Sequence, residues 1–304
     1  MVSIKVSDIL SQTEMQQIAE RSDLRGGFLV LFDWAVVISV FAMCAYWTNP
    51  LTILCGIIVL GGRQLAFGAL VHECGHRSLF KSQWLNTFCG HWLAGYPIMN
   101  NLETYMQGHL QHHRLAGTDE DPDLTNYQDY PIPRSRLRRK IWRDVSGQTG
   151  WRRMKSIGRA IKHAKKLPAQ VRTSLYRGLL VNFLMLAVLT AFGYGWLYLM
   201  WPAAFMTSHM LIVRVRQVAE HAAVPDLFDP DPRKNTRTTY VNWLQRLLLC
   251  PHDLNYHVEH HFLVSVPIYR LRKMHGFLQA RGFYNDTHFP KGYLTMLREV
   301  TVPG

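Results

Sequence analysis

Phe28–Trp47, FLVLFDWAVVISVFAMCAYW, is a twenty-residue apolar run interrupted only by Asp33. That length matches the roughly 20 residues a helix needs to cross about 30 Å of hydrocarbon, so the run reads as a membrane span. The turn Thr48-Asn49-Pro50 follows, and a second run starts at Leu51, passes Gly61, Gly62 and Arg63, and stays apolar to Leu70. Continued as helix to His76, it would extend roughly 39 Å and push its last turns out of the hydrocarbon. A second pair of runs, Leu179–Phe192 and Trp196–Val213, is joined by Gly193-Tyr194-Gly195 and stopped by Arg214 and Arg216. The expected fold is an all-α integral membrane protein of two transmembrane hairpins, with spans at about 28–47, 51–70, 179–192 and 196–213.

Trp84–Met99 is apolar but carries Gly90, His91, Gly95 and Pro97, which suits an interfacial or re-entrant segment better than a fifth span. With four spans, both termini and every polar cluster share one side. Of 304 residues, 34 are Lys or Arg and 21 are Asp or Glu, a formal charge of +13. Fifteen of the cations lie between Arg134 and Arg177 with one acidic residue, Asp144. The whole excess therefore sits in one basic loop, 134–177, which places that side in the cytoplasm and favours lipid headgroups or an acidic partner over nucleic acid. Five cysteines without a C-x-x-C pair argue against a disulfide framework, a zinc ribbon or an iron–sulfur cluster. The polar stretch before Phe28 does not resemble a cleavable leader, and the N-terminus is expected to be retained.

Eight of the 15 histidines fall in three short windows: His72-Glu73-Cys74-Gly75-His76, His109-Leu110-Gln111-His112-His113 and His257-Val258-Glu259-His260-His261. On a helix, positions i and i+4 share a face, so His72 and His76 present two imidazoles to one centre. H-x-x-H-H does the same and adds a third imidazole one step away. Neutral imidazole suits iron, zinc and copper, and eight ligands exceed what one tetrahedral zinc can use; the arithmetic favours two metals. A single such pair could equally be two surface histidines. His72–His76 also satisfies H-E-x-x-H, the pattern of a zinc membrane protease, but that reading leaves six clustered histidines unused.

These boxes, with Gly117–Asp123 after the second, Asn255-Tyr256 before the third and Val266-Pro267 after it, resemble the membrane fatty acid desaturase and hydroxylase superfamily over roughly His72 to Arg270. The resemblance implies one desaturase-like domain over residues 1–304, with a cytoplasmic helical cap carrying the boxes. It also implies a non-haem di-iron centre ligated at His72, His76, His109, His112, His113, His257, His260 and His261, and by a further histidine after the fourth span, matched here by His221. Where some relatives use an Asn four residues earlier, this chain has Gln217. Glu73, Asp123, Gln217, Asn255 and Glu259 are the candidates to hold ligands in place, because a ligating imidazole usually needs an acceptor on its other nitrogen. His91, His163, His209, His252, His275 and His288 read as packing or surface groups, His252 being the nearest to the third box.

Histidine supplies no electrons, and no flavin, haem or iron–sulfur motif is visible. The resemblance therefore implies an external carrier (ferredoxin, rubredoxin, flavoprotein or cytochrome), O₂ as co-substrate, and removal of hydrogen from an unactivated C–H bond of a lipid or acyl chain. Desaturation is favoured over hydroxylation or ketone formation on the same scaffold. From other classes, a zinc protease or a metal-binding receptor remains, and metal content separates them.

Overall fold

A computed structural model describes residues 5–304 of the chain. Helices dominate: among the described residues the strands are two-residue pieces, Ile132–Pro133 paired in parallel with Thr301–Val302. Four segments are long and apolar enough to cross a membrane: Asp23–Tyr46, Pro50–Gly75, Ala169–Ala191 and Gly195–His221, hereafter the first to fourth spans.

The first span begins five residues earlier than its apolar run because Ser22 caps it, accepting from the Arg25 amide; Asp23 and Arg25 fill the polar first turn. The second opens on an Asn49 cap, which accepts from Thr52, with Pro50 at the first helical position, where a missing amide hydrogen costs nothing. The two meet through a buried ion pair, Arg63 Nη1 donating to Asp33 Oδ1 at 2.7 Å. His252 Nε2 reaches the other Asp33 oxygen at 2.7 Å, and Arg63 also donates to the Leu247 carbonyl. A buried charge is tolerated when its lone pairs and protons are answered in this way. Beside it, a Cβ on Gly62 would lie 2.8 Å from the Leu248 carbonyl oxygen, so only glycine admits that loop.

The other expected boundaries shift for physical reasons. The fourth span does not stop at Val213: it runs to His221 through a π-helical turn at Phe205–His209. Its two arginines are neutralised, Arg214 by the buried carboxylate of Asp144 and Arg216 by Glu220 at 2.8 Å. The third span starts at Ala169 rather than Leu179, its first turns bearing Arg172 and Arg177. Residues 134–177 are not a loop: they form the helices Arg134–Val145 and Gln148–Lys162 before entering the third span. Leu137 and Ile141 turn inward while Trp142, Trp151 and Ile161 stay exposed. Trp84–Met99 lies within a short helix, a π-helical stretch and a 3₁₀ turn and is not among the four spans. It packs on the second span, where a Cβ on Gly90 would come 2.7 Å from Cys74 Cβ.

Two buried clusters divide at the histidine-bearing end of the second span. Ala69 packs into one with Val218, Val258, Ile268 and Met274; Leu70, Val71 and Cys74 pack into the other with Phe67, Phe80 and Trp201. Large apolar side chains such as Phe28, Leu31, Ile38, Phe183 and Val188 stay exposed on the spans, as expected for surfaces whose solvent is hydrocarbon.

Candidate metal centre

Four helical segments deliver the histidines. The second span supplies His72 and His76 at its exit. The helix Leu102–Leu115, capped by Asn101, which accepts from Thr104, supplies His109, His112 and His113. The fourth span ends on His221, and the six-residue helix His257–Phe262 supplies the rest. Within these, nine imidazoles gather into two groups, His72, His76, His109, His113 and His260 in one, and His112, His221, His257 and His261 in the other, with the ligand atoms of each group within 4.8 Å of one another.

In the first group the Nε2 atoms form a chain: His72 to His260 at 3.0 Å, His260 to His113 at 2.9 Å, His113 to His109 at 2.9 Å, and His109 to His76 at 3.1 Å. In the second, His221 and His257 approach through Nε2 at 2.9 Å. Protons cannot satisfy such a chain. A neutral imidazole nitrogen either donates or accepts, and one that donates to a neighbour has no lone pair for the next, so at most two of the four contacts in the first group can be hydrogen bonds. Three rings are further fixed by acceptors on Nδ1: His72 donates to Glu73 Oε1 at 2.9 Å, His112 to Asp121 Oδ1 at 2.9 Å, and His221 to the Asn235 carbonyl at 3.1 Å. Each Nε2 of those rings is then a lone pair aimed inward. His261 Nε2 is buried with no partner at all. Converging lone pairs in a buried site are what a cation requires, and the donor set fits one metal ion per group.

Electrostatics agree. Burial, reinforced by neighbouring imidazoles, holds His109, His257, His260 and His261 well below the ordinary histidine value, and His113 at about 3. All are therefore neutral, the form that ligates metal.

The carboxylates divide differently from expectation. Glu73 holds His72, and its other oxygen accepts from Ser78 Oγ at 2.8 Å and the Ile268 amide at 2.9 Å. Both of its oxygens are committed to holding His72, Ser78 and the Ile268 amide, which argues against the free general base that the H-E-x-x-H protease reading needs. Asp121, not Asp123, reaches His112: Asp123 is half exposed and 4.0 Å away, and supplies instead an amide that donates to Asp121 at 2.8 Å. Burial pushes the Asp121 carboxyl up, but hydrogen bonds from His112 and the Tyr127 hydroxyl outweigh it and hold it below its ordinary value. Glu259 touches no metal-group histidine; it accepts from His275 Nδ1, from the Tyr284 hydroxyl, and from Thr238 at 2.7 Å. His257, His260 and His261 on the same short helix point into the two histidine groups, so the Glu259 side chain is turned to the opposite face. Asn255 donates to the Thr239 carbonyl at 2.9 Å and anchors the loop before the third box. Gln217 makes no side-chain hydrogen bond to a histidine among the described residues. Not foreseen were Tyr105 and Tyr127, which stack on His109 and His221 at 5.4 and 4.9 Å, and Glu220, 3.5 Å from His257 Nδ1. Glu220 immediately precedes His221, and Asp121 lies in the quoted acidic string, so proximity in sequence was the one signal for either. The six other histidines stay outside both groups.

The fatty acid desaturase family model matches residues 45–290. The chain belongs to the fatty acid desaturase family. By that membership it is an oxidoreductase of lipid metabolism. It is 26% identical over 301 residues to an sn-1 oleoyl-lipid 12-desaturase of Picosynechococcus, covering 89% of this chain and 81% of that enzyme. It is 24% identical to the dihydrorhizobitoxine desaturase of Bradyrhizobium elkanii, over 83% of this chain and 74% of that one. A beta-carotene ketolase of Paracoccus is 29% identical over 164 residues, 54% of each chain.

Proposed function

We propose that this desaturase-family chain is an O₂-dependent di-iron oxidoreductase that introduces a double bond into a hydrocarbon or acyl chain, using electrons from an external carrier. The observation that carries the proposal is the gathering of nine imidazoles into a five-membered and a four-membered group. His72, His76, His109, His113 and His260 would hold one iron, and His112, His221, His257 and His261 the other. Bound there, the pair supplies the oxidising power that removes hydrogen from an unactivated C–H bond. The protein's part is positional: Glu73, Asp121 and the Asn235 carbonyl fix three rings through Nδ1, and Tyr105 and Tyr127 pack on two more faces of the site.

We take residues 1–304 as one such domain, its four spans paired as two antiparallel hairpins beneath a cytoplasmic cap, the basic helices of 134–177 setting that orientation. A ferredoxin, rubredoxin, flavoprotein or cytochrome would deliver electrons from the cytoplasmic side, and the substrate's chain would enter from the bilayer. A second reading, hydroxyl or keto insertion on the same residues, is favoured by the likeness to beta-carotene ketolases.

The test combines metal analysis with product mass. The purified chain is expected to hold two irons, and lipid from cells expressing it to contain a product two hydrogens lighter than its precursor. A product one oxygen heavier supports the second reading. One zinc and no lipid product refutes both.

A further inference from the structure

A neutral imidazole that offers the lone pair of one nitrogen to a cation carries its proton on the other, and when buried that proton needs an acceptor. In the group of His112, His221, His257 and His261, the Asp121 carboxylate serves His112 and the Asn235 carbonyl serves His221. His257 turns Nε2 into the group, 2.9 Å from His221 Nε2, while its Nδ1 is buried with no partner. We propose that Glu220 is the positioning residue for His257, accepting from that Nδ1 when the group holds an ion, and that Arg216 keeps the carboxylate in place. The inference rests on the two-metal reading above and adds to it the means by which the fourth span fixes a ligand of the third box.

Geometry selects Glu220. It is 8% exposed, and a single oxygen, Oε1, lies 2.8 Å from Arg216 Nε and 3.5 Å from His257 Nδ1. Arg216 and Glu220 are one helical turn apart on the fourth span and share a face. His221 follows directly and belongs to the same metal group as His257. The end of one helix thus supplies a ligand and, one step before it, the carboxylate for a ligand that comes from another element. The other polar groups nearby are spent or distant. Glu259, two residues along the short helix from His257, is committed to His275, Tyr284 and Thr238, and Asn255 donates to the Thr239 carbonyl. Asp123 is half exposed and stands 4.0 Å from His112.

The assignment gives the two groups unequal backing. Among the described residues the five-histidine group has one carboxylate at an Nδ1, Glu73 behind His72. The four-histidine group has Asp121 and gains Glu220. A carboxylate behind a ligating imidazole raises its basicity, so the group with fewer rings receives the stronger donors.

The experiment strips metal from the purified full chain in neutral detergent and titrates it with Co(II) against a graded chelator, following the visible bands of imidazole-bound cobalt. Wild type is expected to bind two ions. Glu220→Gln keeps an acceptor oxygen without its charge and should weaken one ion about tenfold, leaving the other unchanged; Glu220→Leu keeps no acceptor and should weaken the same ion about 100-fold. With His257→Ala already present, adding Glu220→Gln should change the affinity of that ion less than twofold, because the ring it acts through is gone. A carboxylate that only stabilises the fold would cost the same in both backgrounds, and would not distinguish Gln from Leu; either result overturns the proposal, as does Glu220→Gln binding both ions like wild type. Should Glu220→Gln fail to fold, Arg216→Gln, which leaves the acceptor but removes its holder, is expected to weaken the same ion several-fold, and unchanged affinity there overturns the proposal. Wild type that takes up fewer than two ions refutes the two-metal reading itself, and this inference with it.

Discussion

Replacing Asp121 by Asn tests whether acceptors behind the imidazoles govern metal affinity. Asp121 receives three donors: His112 Nδ1 at 2.9 Å, the Asp123 amide at 2.8 Å and the Tyr127 hydroxyl. Asparagine offers one carbonyl oxygen, which can serve His112 and Asp123; its amide nitrogen then meets Tyr127, whose hydroxyl must turn round to accept. The charge-assisted bond to His112, worth about 1.5–3 kcal/mol, becomes a neutral one of about 0.5–1.5. The net loss of about 1–1.5 kcal/mol corresponds to roughly tenfold weaker metal at the four-histidine group. Asp121→Ala leaves His112 and Tyr127 without an acceptor in a buried place and is expected to cost about 100-fold, the upper end for groups behind metal ligands. Asp123→Ala, which removes only a half-exposed carboxylate 4.0 Å away, should change affinity less than twofold. Equilibration of each variant against a graded chelator, with iron counted per chain, reads the outcome: Asp121→Asn should pass through a one-iron state that wild type skips. If Asp123→Ala loses iron while Asp121→Asn keeps two, the assignment of the orienting carboxylate is wrong.

Arg63→Met should destabilise the chain by about 3–5 kcal/mol, because it leaves the fully buried Asp33 with His252 as its one side-chain partner, while Asp33→Leu with Arg63→Met should recover part of that loss; thermal unfolding of the two variants checks it, and equal Tm values would deny the pair's role. Chelator-treated protein should lose stability as pH falls. Burial and neighbouring imidazoles hold His109 and His257 well below the ordinary range and His113 at about 3, whereas the unfolded chain takes up protons near 6.5. Stability is thus intact above about pH 6.5 and drains toward pH 3, by about 1.4 kcal/mol per unit for each imidazole within its window. A Tm unchanged between pH 7.5 and 5 would contradict the neutral cluster.

What could be read from the sequence was local. His72 and His76 are one helical turn apart, and the 26-residue second span already implied that they clear the hydrocarbon. The sets H-x-x-H-H carry their own geometry in the same way. Spacing alone did not identify partners distant in the chain. Arg214 looks like a stop until Asp144, seventy residues earlier, is known to neutralise it. Glu259 sits amid ligands, yet the imidazole it holds is His275, sixteen residues on. Asp121 and Asp123 differ by two positions, and no periodicity in a turn says which faces His112. His252 lies five residues before the third box and still turns away, to Asp33. Spacing reports which residues share a face; it does not report what the opposite face meets.

The nine imidazoles are also unequal in what holds them, and that inequality predicts where the chain gives way without metal. His72, His112 and His221 are clamped through Nδ1 by groups of the protein itself. His260 meets His72 and His113 at Nε2, His257 meets His221, and His261 Nε2 meets nothing. Those three belong to a six-residue helix, far below the length at which a helix persists unaided, whereas His72 and His76 lie at the end of a 26-residue one. Removal of metal leaves lone pairs facing one another across that short helix. Hydrogen exchange should therefore rise at residues 257–262 well before it rises at the end of the second span. Uniform protection in both, with metal absent, would mean that packing alone by Val258, Ile268 and Met274 fixes the third box and that the metal adds nothing to its order.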